Sequence, residues 1–356
     1  MVVFSSSVAR HPGKEIDMRF TRTSATVLAL GLAVLWNVSA TAGVNRRTVI
    51  GPPANISAMA IDPHNTKILY GGGTGTVARS DDGGTTWTLT PVPGLLRPSA
   101  IRVAVSISST VYALGLSDLY RSTTAGTTWV HRSVPTAAQF PNDLQVDATN
   151  ESTIVLACSN FCFLGCSGGG VFRSDNGGGS WRGIGLKDVN VQHVALDPTT
   201  SQIIYAVSQS RLMKTSNGGG SWKEISPVAS GAIQDVAVDP VVSSTIYAAS
   251  DSGIFRSADF GQSWKMIRAS AYGAVIAAPA YGSRQLFASA SGTALSLDGG
   301  ENWRELETAS SGLSFGSLWQ VAVTGNVCYM VTDLRGVPGQ ILAYELVPPR
   351  RRAAGK

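Results

Sequence analysis

Apolar and small polar residues alternate in short runs along most of this chain, the period-two signature of half-buried β-strands. "AIDP" (60–63), "ALDP" (195–198) and "AVDP" (237–240) end one strand. "ILYGG" (68–72), "TVYAL" (110–114), "IIYAV" (203–207) and "TIYAA" (245–249) make the next. "TVARS", "DLYRS", "GVFRS", "RLMKT" and "GIFRS" form a third and lead into an octet that ends in tryptophan, which opens the fourth.

The octets are "SDDGGTTW" (80–87), "STTAGTTW" (122–129), "SDNGGGSW" (174–181), "TSNGGGSW" (215–222), "SADFGQSW" (257–264) and "SLDGGENW" (296–303). Their tryptophans, Trp87, Trp129, Trp181, Trp222, Trp264 and Trp303, are separated by 42, 52, 41, 42 and 39 residues. A repeat of about 42 residues with β composition predicts a propeller built from four-stranded antiparallel blades. Six octets suggest six blades, but the chain ends argue for seven. After Trp303, "LWQVAVTG" (318–325), "NVCYMVTD" (326–333) and "QILAYEL" (340–346) match three strands with no octet after them. "NRRTVIG" (45–51) is a spare strand at the other end. Pairing the two closes the last blade with the N-terminal strand and removes two open sheet edges.

On these octets the chain resembles the Asp-box (BNR) repeat β-propellers, whose box reads Ser/Thr-x-Asp-x-Gly-x-Ser/Thr-Trp. That group includes sialidases, sortilin-type receptor domains, xyloglucan-type glucanases and the lumenal photosystem II assembly propellers. The resemblance implies that the box is the turn between the third and fourth strands of a blade. It carries no single function, because enzymes and non-enzymes share it.

The residues agree with a structural turn. Gly84, Gly126, Gly178, Gly219, Gly261 and Gly300 share one position, which suits a backbone with positive φ. Ser80 and Asp82 are placed to accept hydrogen bonds from nearby backbone N–H groups. Trp87 and its counterparts then pack at the blade edge, each removing roughly 150–250 Å² from water. A calcium loop would need carboxylates at fixed places. The third octet position is instead Asp82, Thr124, Asn176, Asn217, Asp259 and Asp298, so no metal is expected.

Composition adds the compartment. Of 356 residues only 14% are charged, and 39 are glycine, as in a turn-rich all-β protein. Near the N-terminus, Arg19 and Arg22 precede an apolar run from Ala25 to Trp36, and Ala40-Thr41-Ala42 fits a signal-peptidase site. The run of ~12 residues falls short of the ~20 that span a bilayer. We therefore expect residues 1–42 to be a signal peptide, with Met18 as an alternative start, and residues 43–347 to be one propeller domain. The exported product is expected in the periplasm or outside the cell, as a monomer with no membrane span.

The formal charge of +5 is misleading. Arg10, Lys14, Arg19 and Arg22 lie in the leader against Glu15 and Asp17, and Arg350, Arg351, Arg352 and Lys356 lie in a basic tail (348–356) that we expect to be disordered. The remaining body is near neutral, with no basic surplus for nucleic acid.

Candidate chemistry follows from the first strands. Ligands of the family bind on the face opposite the boxes, at the channel mouth. Aligning the first strands on their "VAVD" register puts Ala58, Arg102, Asp143, His193, Asp235, Ala274 and Gln320 at that mouth. Arg102, Asp143, His193, Asp235 and Gln320 are polar where Ala or Val would serve a purely structural strand. Asp143 and Asp235 are candidates for an acid and base pair of a glycoside hydrolase. A sialidase would need three arginines and a Tyr–Glu pair, and only Arg102 holds a mouth position. Xyloglucan-type enzymes use two propellers, and this chain has one. The sequence therefore favours a non-catalytic scaffold that binds a protein or a glycan at the mouth, without a cofactor.

The 52-residue repeat carries an insertion, "CSNFCFLGCSGGG" (158–170). In an oxidising compartment one local disulfide is expected, from Cys162 or Cys158 to Cys166, with Cys328 free. Phe161, Phe163 and Leu164 at its tip are a candidate protein contact.

Overall fold

The computed structural model describes residues 44–49, 55–96, 98, 100–103, 109–135, 140–160, 168–228, 231–269, 276–277, 286–289, 293–296, 298–307, 313–324, 327–334 and 337–346. All lie in one compact unit, Thr41–Lys356, and the described residues contain strands and turns but no helix.

The chain opens with β1 (Val44–Val49). Next, β2 (Ile56–Ile61), β3 (Leu69–Gly73), β4 (Thr76–Ser80) and β5 (Thr88–Pro91) pair in chain order as one antiparallel sheet. The unit recurs as β6 (Ala100–Val103), β7 (Val111–Leu114), β8 (Asp118–Ser122) and β9 (Val130–Ser133). It recurs again as β10 (Phe140–Val146), β11 (Ile154–Ser159), β12 (Gly170–Ser174) and β13 (Arg182–Gly185). Then come β14 (Val191–Leu196), β15 (Ile204–Ser208), β16 (Arg211–Thr215) and β17 (Lys223–Glu224). These are followed by β18 (Ile233–Val238), β19 (Ile246–Ser250), β20 (Gly253–Ser257) and β21 (Lys265–Ala269). After β22 (Ile276–Ala277), β23 (Leu286–Ser289), β24 (Thr293–Ser296) and β25 (Arg304–Glu307), three strands remain. These are β26 (Leu313–Thr324), β27 (Val327–Leu334) and β28 (Val337–Leu346), and the fourth strand of their sheet is β1, with Arg47 opposite Tyr344.

The first strand of each sheet lies beside the first strand of the next, from β2 through β6, β10, β14, β18 and β22 to β26, and β26 lies beside β2. Second strands are apolar and buried almost throughout, because both faces of each sheet meet a neighbouring sheet. The core is accordingly divided among the gaps between sheets. One gap holds Tyr112, Leu114 and Leu119 against Leu144, Ile154 and Leu156, with Trp181 at its edge. Another holds Tyr205, Val207 and Leu212 against Ile233, Val236 and Ile246, with Trp264 at its edge. Trp87, Trp129, Trp222 and Trp303 close other gaps in the same way. Each fully buried large apolar side chain contributes roughly 1.5–3 kcal/mol.

The octets are turns, as the sequence predicts. In the first, the Ser80 hydroxyl accepts the Gly84 N–H at 2.8 Å and donates to Asp82 Oδ1 at 2.8 Å. Asp82 in turn accepts the Thr86 N–H at 2.9 Å and the Thr86 hydroxyl at 2.7 Å. The octet glycine is required twice over at Gly219: its φ is 100°, and a Cβ there would strike the carbonyl of Ile184 in the preceding sheet. The first five of these turns also bond the loop between the first and second strands, as in Gly83 N–H to Lys67 O at 2.9 Å and Gly218 N–H to Gln202 O at 2.9 Å. Octets and first-to-second loops thus share one face, and the starts of the first strands lie at the other.

Candidate functional site

At that opposite face the first strands carry a recurring irregularity. The ladder shifts register just before Ala58 in β2, Asp143 in β10, His193 in β14, Asp235 in β18 and Gln320 in β26. A bulge of this kind turns the next side chain out of the regular pleat. It also leaves that side chain close to its own backbone: Asp143 Oδ1 accepts the Leu144 N–H and Asp235 Oδ1 the Val236 N–H, each at 2.8 Å.

Four of the sequence-predicted mouth residues meet as a row across four successive sheets. Arg102 Nη2 lies 2.7 Å from Asp143 Oδ1. His193 Nδ1 stands between the two acids, 3.9 Å from Asp143 Oδ2 and 3.8 Å from Asp235 Oδ1. Asp143 Oδ2 also accepts the N–H of Val194 in the next sheet at 3.2 Å. Asp143 is only 5% exposed, while the His193 side chain is 44% exposed and opens the row to solvent.

Two assignments need correction. Arg102 joins the cluster, but it does not occupy the aligned mouth position. In β14 and β18 the mouth residues oppose Val207 and Ala249, two places after the buried tyrosine, and in β6 the residue at that level is Ala100, opposite Leu114. Val103, opposite Val111, holds the place of Val238, opposite Ile246, so counting back from "VAVS" (103–106) stops two residues short of the mouth. The Arg102 side chain is long enough to bridge the difference. Cys158, one of the disulfide candidates, is a free thiol buried in β11 within the gap between two sheets. Burial pushes its pKa up and removes it from exchange chemistry.

Ala58 is fully buried. Ala274, Cys162, Cys166, Phe161, Phe163 and Leu164 lie outside the described residues, and Gln320 and Cys328 are placed by backbone alone, in β26 and β27.

A polar network beside the row was not read from the sequence. Asn142, the residue before Asp143, donates to Ser159 and, at 2.7 Å, to the Val191 carbonyl in the next sheet. Ser159 donates to Asn190 Oδ1 at 2.6 Å. The available signal was an amide at the bulge of "FPNDLQV" (140–146), where an apolar residue would suit a plain strand.

This arrangement is better suited to holding charge than to moving protons. Both oxygens of Asp143 are engaged, by a guanidinium and two backbone N–H groups. Because one imidazole nitrogen lies within 4 Å of both acids, their nearest oxygens are at most about 8 Å apart, a limit that admits both the retaining and the inverting separations of glycoside hydrolases. The imidazole fills that space. Among the described residues no group of three His, Cys, Asp or Glu is placed to hold a metal ion.

No protein-family model matches the chain, and no curated protein matches it. Solved structures do. YCF48 from Cyanidioschyzon merolae is 16% identical, with a TM-score of 0.62 over 84% of this chain and 98% of that one. YCF48 bound to D1 peptide is 15% identical, with a TM-score of 0.63 over 85% and 97%. Virginiamycin B lyase from Staphylococcus aureus is 11% identical, with a TM-score of 0.64 over 85% and 99%. At such identities the likeness is one of fold, and the chain is a β-propeller.

Proposed function

We propose that this chain is an exported, non-catalytic Asp-box propeller of seven blades whose channel mouth binds a protein segment. The observation that carries the reading is the row Arg102–Asp143–His193–Asp235: four charged or ionisable side chains, one from each of four successive first strands, brought together at one mouth. Such a row sets a guanidinium, two carboxylates and an imidazole on a rigid frame, which suits an extended polar segment of a partner. A propeller of similar size bound to a peptide supports a protein ligand over a small molecule. The succession of first strands from β2 to β26, and the pairing of β1 with β28, support a closed ring of seven. Export rests on the leader, with cleavage after Ala42.

The spacing of Asp143 and Asp235 favours one further reading, glycoside hydrolysis, against which stand the engaged oxygens of Asp143. A single experiment separates the two. The full chain is produced with its own leader, and the purified product is screened against a random peptide library and a panel of glycans. The scaffold reading expects selected peptides whose affinity falls about tenfold or more in Asp235→Asn and in His193→Ala, equivalent to about 1.4 kcal/mol or more. Hydrolysis of any glycan that disappears in Asp143→Asn, Asp235→Asn would overturn it.

A further inference from the structure

A second site lies on the other face. Between the sheet ending in β17 and the sheet of β18–β21 there is an open groove of about 860 Å³, within the size range of small-molecule sites. Trp222, Phe255, Phe260 and Trp264 line it, together with hydroxyls and amides that include Ser263 and Gln262.

Two independent features built this groove. The first is the length of β17, which has two residues where β13 has four and β21 has five. Pro227 follows closely and cannot donate to a ladder. The outer edge of this one sheet is thus cut back. The second is Phe260. At the fourth octet position the chain adopts positive φ each time: Gly83 at 75°, Ala125 at 51°, Gly177 at 66°, Gly218 at 65° and Gly299 at 72°. Phe260 alone among them is bulky, with φ 59°. A left-handed backbone costs such a residue about 1–2 kcal/mol, and a strained bulky side chain lining a groove points to a ligand.

We infer that the groove binds a neutral oligosaccharide. Aromatic faces stack on the C–H faces of sugar rings, and hydroxyls and carboxamides match sugar hydroxyls. Of the three charged side chains that line the groove, Lys223 is exposed to solvent, and Lys214 and Glu224 are already engaged. Lys214 Nζ donates to the Phe260 carbonyl at 3.0 Å and sits 5.0 Å above the Phe260 ring. Glu224 pairs with Arg211 at 2.8 Å. The groove also offers little to a peptide backbone. The Ile225 N–H bonds Leu212 O at 2.8 Å, the Ile225 carbonyl accepts the Trp264 indole at 2.9 Å, and the Leu212 N–H bonds the Ser226 hydroxyl at 2.9 Å. Strand addition at this edge would have to break these bonds.

The test is saturation-transfer NMR on the full chain with neutral gluco-, manno-, galacto- and xylo-oligosaccharides, followed by titration of any that respond. At least one series is expected to bind through its ring protons. Phe260→Gly is expected to fold with an unchanged or higher Tm, since the strain is relieved, and to weaken that binding about tenfold. The inference is overturned if no neutral series binds, or if Phe260→Gly binds as the parent does. It is also overturned if the groove instead selects peptides from a library and loses them in Phe260→Gly.

Discussion

At the scale of single residues, the octet shows why its acid can be replaced while the turn persists. Asp82 Oδ1 accepts the Thr86 N–H, and in the third octet Asn176 Oδ1 accepts the Ser180 N–H at 2.8 Å. The second interaction reverses direction: the Thr86 hydroxyl donates to Asp82, whereas Asn176 Nδ2 donates to the Ser180 hydroxyl at 2.9 Å. The acids differ from the amides in their response to pH. The Thr86 N–H and hydroxyl hold Asp82 down at about 2, and the Ser263 hydroxyl and N–H hold Asp259 at about 2, both below the usual 3.8. A depressed folded-state pKa contributes stability above the unfolded value and loses it as pH falls toward the folded one. We therefore expect Asp82→Asn, Asp259→Asn to flatten the fall in Tm between about pH 4 and pH 2. Thermal melts of both proteins across that range check it, and parallel curves would count against it. This part of the structure was legible, because Ser, Asp and Gly at fixed offsets specify a turn directly. The position of Arg102 was not: strand register is fixed by bulges and cross-strand packing, and "IRVAVS" (101–106) lacks the aspartate that marks it elsewhere.

At the scale of elements, the tryptophans do more than plug an edge. The indoles of Trp181, Trp222, Trp264 and Trp303 donate to Ser133, Ile184, Ile225 and Ile267, each a carbonyl in or just beyond the outer strand of the preceding sheet. The basic residue before three of the octets adds a tie in the other direction. Arg79 reaches the Ala125 carbonyl, Arg173 that of Ser201 and Lys214 that of Phe260, all in the following sheet. Arg79 and Lys214 cross the rings of Tyr70 and Tyr205 on the way, at 5.8 and 5.7 Å. Trp303→Phe keeps a ring in the gap but loses the N–H bond at 3.2 Å to Ile267 and the stacking of Arg268, 5.2 Å away. It is expected to destabilise by about 1–2 kcal/mol. Urea unfolding monitored by circular dichroism reads the change, and a midpoint equal to the parent's would refute the tie. The sequence displayed the repeat that places these residues, but not their partners, because these ties join segments 28 to 48 positions apart.

At the scale of the whole molecule, the sheets depend on one another, since each buries its faces only against its neighbours. The last sheet is the one assembled from both ends of the described chain, with Val44–Val49 laid along β28. That strand supplies backbone partners to Ala343, Tyr344 and Glu345. Removing it would leave β28 as a bare edge of ten residues, the kind of template that pairs with another chain. Deletion of residues 43–49 is therefore expected to lower the Tm by several degrees and to produce dimers or larger species on size exclusion. A synthetic peptide of the sequence "VNRRTV" (44–49) should bind the truncated protein and restore both properties, as an exchangeable edge strand does. A truncated protein that stays monomeric with the parent's Tm would show that β1 merely lies along the sheet. In that case closure would have to come from the packing of β26 against β2.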